Sequence, residues 1–171
     1  LRIDNAGSGY KLEVTAAGLA SDTSAAFTIT AGAATALAFT AQPTTTTAGT
    51  ALNPAVDVTA RDALGNPVTD FAGPVTLTIT AGTGTSGATL AGTRTVTAVA
   101  GVASFGDLSI AKAGTGYTLS ATNPDIPGAT EGGSAAVWID GCREVIEAMP
   151  LLKPAMPQPK PDPAKPPRDE K

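Results

Sequence analysis

The chain has 171 residues, 42% of them hydrophobic but only 4% aromatic, with 15% charged residues and a net charge of −4; that length suits one ordinary domain with appendages. There is no histidine, which removes His-based acid–base catalysis and His metal sites, and the single cysteine, Cys142, permits neither an internal disulfide nor a Cys-rich zinc centre. No basic cluster offers a phosphate footprint, so nucleic acid is excluded as a partner, and no apolar run approaches the ~18 residues of a membrane span.

The opening stretch, Leu1-Arg2-Ile3-Asp4-Asn5-Ala6-Gly7-Ser8-Gly9-Tyr10-Lys11-Leu12, returns 107 positions later as Leu108-Ser109-Ile110-Ala111-Lys112-Ala113-Gly114-Thr115-Gly116-Tyr117-Thr118-Leu119. The match resumes at 110 positions, where Ser24-Ala25-Ala26-Phe27-Thr28-Ile29 answers Ser134-Ala135-Ala136-Val137-Trp138-Ile139. Self-similarity at a long period marks a repeat array with a domain-sized unit. Residues 1–32 therefore read as the C-terminal strands of a preceding, incomplete repeat. Two alternating stretches, at 9–14 and 26–30, form those strands. Two strands cannot bury a core alone, so they stay loose, dock on the complete repeat or swap with another chain.

Residues 33–139 read as the complete unit. Leu37 and Phe39 share a face of its first strand. Gln42-Pro43 and a threonine run lead to a kink at Ala48-Gly49. Val56 and Val58 follow, with Asp57 and Thr59 pointing the other way. Asp62-Ala63-Leu64-Gly65-Asn66-Pro67 is a turn, in which Gly65 supplies a positive φ and Pro67 ends strand pairing. Val75-Thr76-Leu77-Thr78-Ile79-Thr80 alternates strictly. Thr93–Ala98 and Val102–Phe105 are expected to pair around Gly101, and Tyr117, Leu119 and Ala121 line a further strand. Seven to eight short strands separated by turn signals predict an all-β, immunoglobulin-like antiparallel sandwich.

After Gly141 the composition changes. Residues 140–171 carry six basic and six acidic residues, and eight of the 14 prolines lie between Pro150 and Pro167. The segment reads as a short helix capped by Asp140, then a Pro-rich, charged, disordered tail. A native C-terminus and a splice from elsewhere both fit it. Its Pro154/Pro157 and Pro163/Pro166 spacings also permit docking in an aromatic-lined groove.

Several residues invite a site reading. Tyr117, after Gly114-Thr115-Gly116, resembles a tyrosine corner whose hydroxyl bonds nearby backbone. Asp62 and Asn66, with Asp57 and Asp70 nearby, could offer oxygens to calcium. No Asp-x-Asp-x-Asp spacing supports that, so an Asx-type turn is the better reading and no cofactor is expected. The ladders Thr76/Thr78/Thr80 and Thr93/Thr95/Thr97 suit either a hydroxyl array for sugar or ice, or a solvated strand face, and the latter is the simpler reading. Trp138 is the candidate ligand contact. It stands where the first copy has Thr28, between inward-facing neighbours, and serves as a sugar-stacking platform or interface anchor unless Val145, Ile146 or Met149 fold back over it. Cys142 is either a free thiol or an intermolecular link.

The unit resembles the bacterial immunoglobulin-like repeats of large surface proteins, the invasin/intimin-like class. The phrases that carry the likeness are Leu37-Ala38-Phe39-Thr40 with Gln42-Pro43, Ala48-Gly49, Val56-Asp57-Val58, Asp62 to Val68, Val75-Thr76-Leu77, Gly101 to Phe105 and Gly114 to Leu119. The resemblance spans residues 1 to about 139 and stops at the tail. It implies an extracellular or cell-surface stalk or adhesion module, with neighbouring repeats of the same polypeptide as partners and host or environmental glycans or glycoproteins as candidate ligands. It carries over no catalytic residue. The rival reading is an accessory spacer or carbohydrate-binding module of a secreted polysaccharide-active enzyme.

Overall fold

The computed structural model describes residues 1–126 and 137–140. The short helix, the Pro-rich tail and Cys142 lie outside the described residues. Fifteen strand segments and no helix occur among those residues. In chain order they are β1 (Gly7–Tyr10), β2 (Glu13–Val14), β3 (Asp22–Thr23), β4 (Phe27–Ile29), β5 (Ala36–Ala41), β6 (Thr46–Thr47), β7 (Val56–Arg61) and β8 (Pro74–Ile79). Then come β9 (Leu90–Ala91), β10 (Thr95–Thr97), β11 (Val102–Phe105), β12 (Ser109–Ile110), β13 (Gly114–Tyr117), β14 (Leu119–Thr122) and β15 (Val137–Asp140).

The larger unit is an immunoglobulin-like sandwich. One layer is the antiparallel sheet β11-β7-β5. The other joins two ladders, β10-β8-β14 and β13-β15-β6, because β13 and β14 are one run interrupted only at Thr118. Alternation aims Val56 and Val58 of β7, Val75 and Leu77 of β8, Phe105 of β11 and Leu119 of β14 into one shared core, each at most 1% exposed. Burying such a side chain stabilises by roughly 1.5–3 kcal/mol. That is how a sandwich holds together without a cross-link. Thr59 is buried as well. Its hydroxyl pairs with that of Thr40 across β5 and β7 at 2.9 Å, which satisfies a polar group shielded at the centre of a three-stranded sheet.

Two crossings between layers shape the unit. The chain leaves β5 at Gln42-Pro43 and re-enters the opposite layer as β6, whose Thr46 and Thr47 pair in parallel with Ile139 and Asp140. The threonine run thus includes a short strand that its alternation alone does not announce. The second crossing corrects an expectation. Thr93–Ala98 and Val102–Phe105 do not form a hairpin ladder: β10 pairs with β8, β11 pairs with β7, and only an isolated Val99–Val102 bridge joins the two segments. The tight turn at Ala100-Gly101 passes the chain from one layer to the other, so most hydrogen bonds on each side go to strands of different sheets. Gly101 sits there at φ 79°, and a Cβ would lie 2.3 Å from the Val68 carbonyl oxygen.

The two similar stretches of sequence form matching ladders. β1 pairs with β4 through Gly7–Ile29 and Tyr10–Phe27, and β13 pairs with β15 through Gly114–Ile139 and Tyr117–Val137. Each ladder shifts register between its glycine and its tyrosine. Burial separates the copies. Tyr117, Leu119 and Ala121 are covered by the sandwich core, whereas their counterparts Leu12 and Val14 are 42% and 66% exposed and Tyr10 is half-buried. The first copy has the same register but not the covering layer.

The tyrosine hydroxyls repeat as well: Tyr10 donates to the Asn5 carbonyl at 3.0 Å and Tyr117 to the Lys112 carbonyl at 2.9 Å. Replacing Tyr117 by Phe leaves the packing and removes a shielded bond, so urea unfolding should give a loss of about 1 kcal/mol. Tyr10→Phe, in its half-buried setting, should cost less than about 0.5 kcal/mol in the same assay.

Candidate functional site

The turn that follows β7 is where the two copies meet. Arg61 and Pro67 bridge its ends, and the Gly65 amide donates to the Asp62 carbonyl at 3.0 Å. Gly65 adopts φ 85°, the left-handed conformation that an L side chain resists. Around this turn the Asp62 carboxylate gathers four donors. Oδ1 accepts from the Leu64 amide at 2.9 Å and the Asn66 amide at 2.8 Å. Oδ2 accepts from the Gly32 amide at 3.0 Å and the Asn66 side-chain Nδ2 at 3.0 Å. The first two bonds are an Asx-type turn. The third reaches 30 residues back to the segment between the copies.

Asn66 extends the grip. Its Nδ2 donates to the Asp4 carbonyl at 2.8 Å while its Oδ1 accepts from the Ala6 amide at 2.9 Å. One carboxamide therefore holds two backbone groups of the first copy while its remaining Nδ2 hydrogen binds Asp62. Asp62 is buried, and a buried carboxylate is tolerable only when its lone pairs are used. Its pKa is drawn down from 3.8 to about 2, first by the Asn66 side chain and then by the Gly32 amide; burial opposes this, and the Asn66 and Leu64 amides add to it. A calcium ion would have to displace these donors to reach the carboxylate. Asp57 is used elsewhere, accepting from the Ser104 hydroxyl at 2.5 Å. No group of three or more acidic or sulfur ligands is placed to hold a metal among the described residues.

The other candidates fall away from this joint. Gly114 opens the bulge of β13 and Gly116 lies within it. A Cβ on Gly114 would meet the Thr85 hydroxyl at 2.1 Å, and Gly116 adopts φ 73°. Thr76 of β8 pairs with Thr95 at 2.9 Å, and Thr80, just beyond β8, pairs with the buried Ser120 at 2.7 Å. Thr93 leaves that ladder to cap Asp107 through its amide and hydroxyl. Trp138 lies in β15 between the buried Val137 and Ile139, and its side chain is outside the described residues.

Sequence reasoning singled out Asp62, Gly65 and Asn66 but missed Asp4, Ala6 and Gly32. Those three contribute backbone atoms only, across separations of 30 to 62 residues, and backbone groups leave no compositional trace.

Among known proteins, no family model matches the chain and no curated protein does. The Escherichia coli adhesin FdeC is similar in structure, with 22% identity and a TM-score of 0.41 over 68% of this chain. The chain spans 34% of that adhesin's chain.

The depressed carboxyls give the unit a pH signature. Asp62 is deprotonated more readily when folded, so its stabilisation is present above pH 3.8 and is lost as pH falls toward about 2. Asp107, lowered by the Thr93 hydroxyl and then by the Thr93 amide, acts in the same direction. Urea unfolding from pH 6 to pH 2 should show stability falling in the acid range. Asp62→Asn should reduce stability at neutral pH and flatten part of that slope, leaving the Asp107 share.

Proposed function

We propose that the chain is a non-catalytic structural and adhesive module of a bacterial extracellular or cell-surface repeat protein, in which sandwiches are strung in tandem. The observation that carries this reading is the two-sided grip at the turn after β7. Asp62 holds the connecting segment at Gly32, and Asn66 holds the end of the first copy at Asp4 and Ala6. A tether that only linked two freely moving units would need neither contact. Bonds to the segment and to the preceding copy from one turn fix an orientation, which is what a stalk requires to hold a binding surface at a distance.

The chemistry of the residues agrees. The chain has no histidine, and the Asp62 carboxylate at the turn is taken up by four N–H donors rather than left open for proton transfer. Residues 1–32 act in this reading as the end of a preceding repeat. Their apolar positions Leu12 and Val14 correspond to core positions of the second copy.

The test is orientation in solution. Residual dipolar couplings on the full chain should report residues 1–30 and the sandwich as one alignment frame. The double variant Asp62→Ala/Asn66→Ala should split them into two frames while the sandwich stays folded. Two independent frames in the unaltered chain would sink the stalk reading. For the adhesive part, the immobilised chain should bind saturably to mucin or a matrix glycoprotein, and binding confined to polysaccharide would redirect it to a carbohydrate-binding accessory role.

A further inference from the structure

The joint uses one socket, and the second copy carries another of the same form. On the first copy Asn66 reads no side chain. It takes the Asp4 carbonyl and the Ala6 amide, on either side of a bend at Asn5. The Tyr10 hydroxyl pins that bend through the Asn5 carbonyl.

In the second copy Ala111 and Ala113 stand 107 positions after Asp4 and Ala6, and the bend falls at Lys112. The Tyr117 hydroxyl pins it through the Lys112 carbonyl, and the adjoining ladder has the same register and the same bulge. The Ala113 carbonyl is taken by the Thr85 hydroxyl at 2.9 Å. Among the described residues, no hydrogen bond is made by the Ala113 amide or the Ala111 carbonyl, the two groups that correspond to the pair Asn66 holds. Ala6, under the joint, is half-buried, while Ala111, Lys112 and Ala113 are exposed.

We propose that the Ala111–Ala113 backbone is a docking site for the turn of a further copy of this repeat, equivalent to Asp62–Asn66, held by a carboxamide bridging the Ala111 carbonyl and the Ala113 amide. The occupant follows from the joint already present, where that turn sits on the corresponding backbone of the first copy. The last strands agree in register: Ile29 pairs with Gly7 in the first copy as Ile139 pairs with Gly114 in the second. Such an interface is heterologous and does not close, which suits a linear array. The inference rests on the tandem reading above and adds the surface on which the next repeat sits.

To test it, a second copy of residues 30–139 is inserted between Ile139 and Asp140 of the full chain, and amide exchange is followed by NMR. The Ala113 amide should slow by about tenfold or more relative to the parent, toward the protection of Ala6, and Asn66→Ala in the inserted copy alone should reverse this. Unchanged exchange at Ala113, with the inserted Val58 amide protected, overturns the proposal even if residues 1–30 keep their orientation in the parent. Should the inserted copy not fold, the parent still decides: Asn66→Ala there must speed exchange at Ala6, and no change would remove the two-point grip on which the proposal stands.

Discussion

Four donors converging on one carboxylate organise this molecule. Without the Asp62 side chain, the turn after β7 loses the acceptor of its Leu64 and Asn66 amides, the connecting segment loses its hold at Gly32, and the Asn66 carboxamide loses the partner that orients it. The bonds are coupled because each fixes the geometry of the next. A carboxylate that accepts from several amides is also far harder to protonate, which is why its pKa falls despite burial. The same side chain thus closes the turn and, through Gly32 and Asn66, ties the N-terminal stretch to the sandwich.

The sandwich beneath it depends on where the chain changes layers. At Gln42-Pro43, proline cannot donate to the β5 ladder, and the strand that follows is free to pair elsewhere. At Ala100-Gly101, two successive residues with φ of 49° and 79° turn the chain tightly enough to step between sheets. These crossings place β6 and β15 side by side and bring β11 against β7. They allow a core built from valine, leucine and a few aromatics to be enclosed on both sides.

Much of this was legible in residues. Strict alternation at Val75 to Thr80 identified β8 and its inward face, and the phrase shared by Leu1–Leu12 and Leu108–Leu119 anticipated two ladders of identical register. The turn residues Asp62, Gly65 and Asn66 were visible because their side chains and backbone freedom have local consequences. What stayed hidden was pairing between distant segments. The parallel pairing of Thr46 and Thr47 with β15 has no pattern of its own, since a two-residue strand is too short to alternate. The partners of Asn66 are peptide groups, which every residue possesses. The expectation that β10 and β11 form a hairpin failed for a related reason, because proximity in sequence around a turn does not say which layer each arm joins.

The β6–β15 contact has a mechanical meaning. Load passing between Thr46-Thr47 and Ile139-Asp140, from the N-terminal side of one to the C-terminal side of the other, pulls them in opposite directions along their shared axis, because the two strands run parallel. Their hydrogen bonds lie across that pull and must fail together rather than one after another, as they would if peeled from one end. The Ala48 amide, which donates to the Asp140 carbonyl at 2.8 Å, extends the same clamp by one residue. Resistance to shear along that axis is then set by a few bonds at the edge strand β6, next to the core to which Ile139 belongs.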